Sequence, residues 1–427
     1  MPASGATIAG LGVVSAIGQD LASFRSALKQ TQTGVKQSTS NLFPSPLVGI
    51  AAELDGFSFE KALDQLEDLA PDIMARAKRC ARRAPRSTQS ALIAALQAWQ
   101  QAYAAGVTLE STNVGLVVAA DHSARRYDYE QFLNYQREPL YLSPRFAQHG
   151  MDADVLGIIS HSLSIEGEGL LASGASASGN VALIQGLRLI ESGHANACLV
   201  VGVMADYCPM DLQAFHSLGV LGAQQWQGDP SHACRPFDVQ HNGLIYGQAS
   251  AAILLVSSKL ACSPGGPRVR SGTTRLHASA STDPDMIAES AVMHACITAA
   301  GIQPEQIDYI NTHGTASVLG DETEVQAIRH TFGSHADKIW LNATKALTGH
   351  CIYSAGLLEA VACTVQIQDG FLHGNPNLKD KIAPDLRWVG PQSQSQTIRY
   401  SLNNSFGFGG INSCVLIDDG QEDPDDL

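Results

Sequence analysis

The chain has 427 residues, of which 44% are hydrophobic and only 16% charged, and its formal net charge is −14. That length exceeds what one hydrophobic core fills, so two lobes are expected, and the low charged fraction points to surface buried between copies. The acidic balance argues against nucleic acid as the main partner. Nine cysteines, with no C-x-x-C pair, fit a reducing, cytoplasmic setting rather than a disulfide framework or a zinc site. No apolar run is long enough to span a membrane, and the first residues lack the basic and apolar regions of a signal peptide.

Residues 7–14 read as a glycine-interrupted strand, and residues 20–29 as a helix with Asp20 as its N-cap. Residues 30–70 look irregular and surface-lying. Residues 74–86 carry Arg76, Lys78, Arg79, Arg82, Arg83 and Arg86 with no acidic residue among them. In so acidic a chain this run is either a solvated helix face or a docking surface for an acidic partner. An alanine-rich helix over residues 87–105, a buried strand over 113–120 and a helix over 156–163 follow.

Residues 170–193, LLASGASASGNVALIQGLRLIESG, read as a short buried strand, a tight turn of small residues and a helix. Val181, Ile184, Leu187 and Ile190 recur near the helical period, and Gly193 sits where a C-cap glycine belongs. A side chain in the turn points at the positive end of the helix, which favours developing negative charge. Ser176 or Ser178 is therefore a candidate site residue; the alternative is that both serines merely cap the helix.

Strands over 197–203 and 250–257 complete a first α/β lobe. The second half repeats the pattern, with strands over 268–279, 306–312, 339–343, 397–403 and 413–417 and helices over 284–300, 320–332 and 353–371. The boundary is expected in the Pro- and Gly-bearing residues 259–267, giving halves of residues 1–258 and 259–427 and suggesting an internal duplication. The acidic tail, residues 421–427, is expected to fray.

Three motifs in the second half carry chemistry. The first is Asn311-Thr312-His313-Gly314-Thr315, followed by Asp321 and Glu324. The second is Lys345-Ala346-Leu347-Thr348-Gly349-His350, continuing to Glu359. The third runs from Asn403 to Asn412 and places Phe408 among glycines whose backbone N–H groups could face a ligand.

In this order and spacing the motifs resemble those of the β-ketoacyl synthases, the elongating condensing enzymes of fatty-acid and polyketide synthesis. The match runs from Ile8 to Cys414 and includes Arg235-Pro236-Phe237-Asp238. The resemblance implies an α/β, thiolase-like fold: two duplicated halves in a five-layered α-β-α-β-α core. It implies a homodimer, or a heterodimer with a second ketosynthase, and no bound cofactor or metal. It implies an acyl carrier protein as partner, its phosphopantetheine arm carrying the substrate into a tunnel. His313 and His350 would be the paired catalytic histidines, with Lys345 and Glu359 as electrostatic support and Asp321 and Glu324 supporting. Phe408 would be a gate whose N–H contributes to an oxyanion hole. Arg76, Lys78, Arg79, Arg82 and Arg83 would dock the acidic carrier protein.

One position departs from the family. Its nucleophile is a cysteine in a pattern like T-A-C-A-[ST]-G, and here Ser176 occupies that place in Gly174-Ala175-Ser176-Ala177-Ser178-Gly179. A thiol near a helix N-terminus gives useful thiolate at neutral pH, whereas a serine hydroxyl needs an adjacent base. Acyl loading should fail, while decarboxylation of a malonyl thioester needs only donors to its carbonyl oxygen. The pattern thus resembles the free-standing, serine-containing ketosynthase-like decarboxylases of polyketide β-branching cassettes. Three alternatives stand beside it: a non-catalytic chain-length-factor-like subunit, an acyltransferase or hydrolase using Ser176, and an ordinary synthase whose cysteine has been replaced.

Overall fold

The structure is a computed structural model that describes residues 5–38, 49–222, 224–226, 228–258, 260, 265–278 and 283–421. Its strands fall into two sets with one topology. β1 (Ala6–Ser15), β2 (Val114–Ala119), β3 (Gly169–Ala172), β4 (Ala197–Gly202) and β5 (Ala249–Ser257) lie in the order β1-β5-β4-β2-β3. β6 (Arg268–Leu276), β7 (Tyr309–Asn311), β8 (Trp340–Asn342), β9 (Tyr400–Gly407) and β10 (Ile411–Asp418) lie in the order β6-β10-β9-β7-β8. In each set the first strand is antiparallel to the fifth and the fifth to the fourth, while the fourth, second and third run parallel. The shared order is the duplication that the sequence pattern suggests. The sets meet where β1 pairs with β6 at Ala6–Val269 and Thr7–Arg268.

Eight helices matter for packing: α1 (Leu21–Lys29), α2 (Pro71–Ala81), α3 (Arg86–Ala104), α4 (Asp152–Leu163), α5 (Ser178–Glu191), α6 (Met286–Ala300), α7 (Val318–Phe332) and α8 (Ala355–Asp369). Asp20 caps α1 as expected, its carboxylate accepting from the Ser23 N–H in a capping box. Alternate residues of each strand enter different cores, because side chains alternate across a sheet. In the first half, Leu116, Val118, Leu199 and Leu254 pack outward against Leu92 and Leu96 of α3 and Ile159 of α4. Their neighbours Val117, Val200 and Ile253 pack inward against Leu183 and Leu187 of α5 and Leu357 and Val361 of α8. Val415 and Ile417 of the second half reach that same central layer. Ile310, Leu402 and Leu416 face out to Val292, Ile297 and Ile328 on α6 and α7. The result is the five-layered α-β-α-β-α order. With both faces of each sheet covered, the inner strands read as continuous apolar runs.

Two expectations need correction. Residues 170–172 are not a buried strand: β3 is an edge strand with Gly169 and Leu171 exposed, because only β2 pairs with it. Residues 30–70 are not wholly irregular or surface-lying. Ile50–Ala51 is a strand with buried side chains, Leu54 is fully buried, and Phe59–Asp64 is a helix that Ser58 caps and that turns Phe59 and Leu63 into the core. The basic run divides between two helices. α2 ends at Ala81 and α3 starts at Arg86, whose guanidinium turns inward to the Leu54 carbonyl. The acidic tail lies almost wholly outside the described residues, as does most of the expected boundary segment.

Candidate active site

The turn after β3 carries Ser176. Ala175 adopts a left-handed φ of 49°, and residues Ala175–Ala177 form a 3₁₀ turn that leads directly into α5. Ser178 ties the turn together: its Oγ accepts from the Gly174 N–H at 2.9 Å and donates to the Ala175 carbonyl at 2.7 Å. Of the two candidate serines, Ser178 is thus the fully buried turn-former, while Ser176 is half-buried and lines a cavity. Ser405 on β9 clamps the turn from the other half, donating to the Ser176 carbonyl at 2.9 Å. Gly407 is a glycine because a Cβ there would lie 2.4 Å from the Gly174 carbonyl oxygen.

His313 and His350 face this serine from the ends of β7 and of the short helix Lys345–Thr348. Their rings stand 5.8 Å apart and nearly perpendicular, at 88°. His350 Nε2 lies 2.9 Å from Ser176 Oγ, and its Nδ1 accepts the Ile352 N–H at 3.1 Å. A backbone N–H can only donate, so the neutral ring carries its proton on Nε2 and donates it toward Ser176. Ile352 holds a φ of 52°, a left-handed backbone that a β-branched residue adopts only under constraint.

Lys345 fixes the other ring. Its Nζ donates to the His313 carbonyl at 2.7 Å, to Glu359 at 2.5 Å and toward His313 Nδ1 at 3.4 Å. An ammonium has no acceptor site, so His313 also carries its ring proton on Nε2. Burial, helped by the nearby Lys345 charge, holds both histidines well below the ordinary imidazole range, and His350 adds to the effect on His313. Both imidazoles are therefore neutral N–H donors. Burial pushes Glu359 up to about 7 against the pull of Lys345.

The two remaining carboxylates act on backbone. Glu324 accepts the N–H groups of His313 at 2.8 Å and Gly314 at 2.9 Å, and Asn404 Nδ2 at 3.1 Å. Burial raises it to about 7 although these bonds oppose the shift. Asp321 accepts from the Phe237 and Ala316 N–H groups and from His241, so it anchors two loops rather than facing the serine. Phe408 sits at the tip of the β9–β10 hairpin, 38% exposed, and its residue lines the cavity, whereas Phe406 packs its ring 5.5 Å from that of His313.

The cavity measures about 470 Å³ and joins Ser176, His313 and His350 to Tyr207, Phe408 and Glu289. None of the basic residues of α2 lines it. Lys78, Arg79, Arg82 and Arg83 stand exposed, while Arg76 is engaged by Asp72 at 2.6 Å and by the Ser162 carbonyl. Among the described residues, no group of three His, Cys, Asp or Glu side chains is placed to hold a metal, and no helix is long and apolar enough to cross a membrane.

Residues 6–261 match the model of the β-ketoacyl synthase N-terminal domain, and residues 269–379 that of its C-terminal domain. The chain belongs to the β-ketoacyl synthase family. It is 32% identical over 415 residues to the polyketide biosynthesis malonyl-ACP decarboxylase PksF of Bacillus subtilis, covering 96% of this chain and 95% of that protein. It is 27% identical to the chloroplastic 3-oxoacyl-[acyl-carrier-protein] synthase I of Arabidopsis thaliana, over 97% of this chain and 86% of that one. Among solved structures, a β-ketoacyl synthase from Burkholderia phymatum superposes with a TM-score of 0.84 at 21% identity, covering 98% and 100% of the two chains. A type II polyketide ketosynthase in complex with its acyl-carrier protein gives 0.82 at 21% identity, covering 98% and 99%. The fold is thus the thiolase-like one of the ketosynthases.

This member of the family brings Ser176, His313, Lys345, His350 and Glu359 into one connected cluster, with Glu324 beneath it. No sequence signal marks Ile352, whose left-handed backbone orients His350. Ser405 and Phe406 stand within the third motif, but nothing in their spacing marks one as a clamp and the other as a wall.

Proposed function

We propose that this chain decarboxylates a malonyl group carried by an acyl carrier protein, leaving an acetyl group, and forms no acyl-enzyme. The observation that carries the reading is the His350 bond pair: Nδ1 accepts from Ile352, so Nε2 gives its proton toward Ser176 and has no lone pair to take one. Ser176 therefore has no base with which to become a nucleophile. Two neutral imidazole N–H donors remain, aimed into one cavity from perpendicular rings. They stabilise the oxygen of a thioester carbonyl as carbon dioxide leaves and charge gathers on the enolate. Lys345 locks one donor, Ile352 the other. The similarity to a malonyl-ACP decarboxylase over 96% of the chain supports the same reading.

The substrate arrives on the phosphopantetheine arm of the carrier protein, and the product serves polyketide β-branching in a reducing, cytoplasmic setting. A homodimer is supported by Phe132, Tyr135, Leu140 and Tyr141, which stand 51–88% exposed, and by the edge strand β3. Incubation of the purified protein with malonyl-carrier protein tests the function: mass spectrometry should show acetyl-carrier protein and an unmodified enzyme. An untouched substrate would return the chain to a non-catalytic, chain-length-factor-like role. An ester on Ser176 would instead establish acyl transfer.

A further inference from the structure

We propose that Glu289 is the acid that protonates the enolate carbon, a role that rests on the decarboxylase reading above. Decarboxylation breaks the bond between the α-carbon and the carboxylate, and its electron pair becomes the enolate. An acetyl group then needs one proton on that carbon. In a synthase the enolate attacks an acyl-enzyme; here nothing electrophilic awaits it, and a proton donor must stand in the same cavity.

His313, His350, Glu324 and Tyr207 are committed elsewhere, and Glu359 does not line the cavity. The Nε2 protons of His313 and His350 serve the oxygen. Glu324 is filled by three donors. The Tyr207 hydroxyl is turned to that of Tyr353 at 3.5 Å, and both phenols are raised further from neutrality by burial.

Glu289 is different. It lies on the first turn of α6, 1% exposed, and lines the cavity that holds Ser176 and both histidines. Its Oε2 meets no hydrogen-bond partner in the protein. A buried carboxylate left without a partner is costly, and a neutral carboxylic acid is the form such a place favours. The neighbouring charges of Glu324 and Asp285 act in the same direction, and burial is the largest cause of the upward shift. Burial and the absent partner thus favour the protonated form of Glu289, in a site that leaves its proton free to give.

A route back to solvent is present. Asp285 caps α6 one turn earlier, at the (i, i−4) position that shares a helix face with Glu289. It is about one-third exposed and lies 3.9 Å from the half-exposed His277, which also lines the cavity. The proton passes from Glu289 to the carbon, giving acetyl thioester and a Glu289 carboxylate. Water at the Asp285–His277 mouth then restores the acid. One proton is consumed and one carbon dioxide released per turnover.

The test compares Glu289→Gln, Glu289→Asp and Glu289→Ala with the unmodified protein on malonyl-carrier protein. Glu289→Gln keeps size and neutrality but has no acidic proton. Its kcat should fall by about 10²-fold or more, in the range of lost general acids, with KM little changed. Glu289→Ala should regain activity when a small protonated acid such as imidazolium is supplied, and His350→Ala should not. Should Glu289→Gln fold poorly, Glu289→Asp carries the test, since its shortened acid should also lower kcat. A Glu289→Gln variant as fast as the unmodified protein overturns the assignment and leaves the decarboxylase reading intact. A loss confined to KM, or a Glu289→Ala variant deaf to imidazolium, makes Glu289 a positioning residue. If the unmodified protein spares malonyl-carrier protein, both proposals fall together.

Discussion

The Ile352 N–H points at His350 Nδ1, 3.1 Å away, and by doing so decides which ring nitrogen carries the proton. The backbone at Ile352 is left-handed to make that contact, at φ 52°. A single main-chain hydrogen bond thus separates a serine that could be activated from one that is only touched. This chemistry ranks the variants. His313→Ala and His350→Ala each remove one donor to the developing oxyanion, and kcat should fall by about 10²–10³-fold. Ser176→Ala should lose less than about tenfold, because no covalent step passes through it. Steady-state kinetics on folded variants checks the ratio; equal losses for Ser176→Ala and His350→Ala would sink the non-covalent mechanism.

Replacing the hydroxyl by a thiol asks whether the pocket alone still supports acyl loading. Ser176→Cys places a thiol at the N-terminus of α5, where a thiolate is favoured without any base. Intact-mass analysis after incubation with an acyl-carrier protein should show a thioester. Absence of the adduct would mean that the surrounding wall, Tyr207 and Tyr353 included, no longer admits an acyl chain.

Stability should depend on pH through the buried carboxyls. Glu324 and Glu359 are raised from 4.5 to about 7, so the folded state holds protons that the unfolded chain has released. Their stabilising contribution is fully present below about 4.5 and is lost as pH rises through about 7. The unfolding free energy from denaturant titrations should fall between pH 5 and pH 8, by ~1 kcal/mol or more per group. Glu324→Gln should flatten the curve. A free energy that climbs over this interval would contradict the assignment.

Docking is tested by charge. Reversing Arg82 and Arg83, both exposed just beyond α2, should raise KM for malonyl-carrier protein and weaken its salt dependence. The kcat should hold, since neither residue lines the cavity. An unchanged KM at low salt would move the docking surface elsewhere. Arg76 is a poor choice for this experiment because Asp72 and the Ser162 carbonyl already engage it.

The architecture and the chemical cluster are readable in the sequence for different reasons. The fold is legible because inner strands such as 114–119 and 197–202 are apolar without interruption, and because Asp20 and Gly193 mark helix ends in side-chain or backbone chemistry that a sequence displays. His313, Lys345 and His350 are legible as motifs. The choice between Ser176 and Ser178 is not, since both are small residues in one turn and only the three-dimensional bonds of Ser178 assign it to the backbone. Ile352 and Glu289 are invisible for opposite reasons. Ile352 acts through its backbone, whereas Glu289 resembles any helical glutamate until the packing of α6 removes its water.

The helix α8 has no water-facing side: every residue from Ala355 to Ile367 is buried. It is also among the last helices to be made, long after α5, against which it packs. At about 5–20 residues per second, the ribosome leaves the inner face of the first half uncovered for on the order of ten seconds. Leu183 and Leu187 can meet Val200 and Ile253 early, but the part of this face that α8 later covers stays open throughout that wait. The layer that later joins Ser176 to its histidines is therefore also the chain's point of greatest exposure at birth, and its yield in a cell should track the supply of chaperones that shield such a surface.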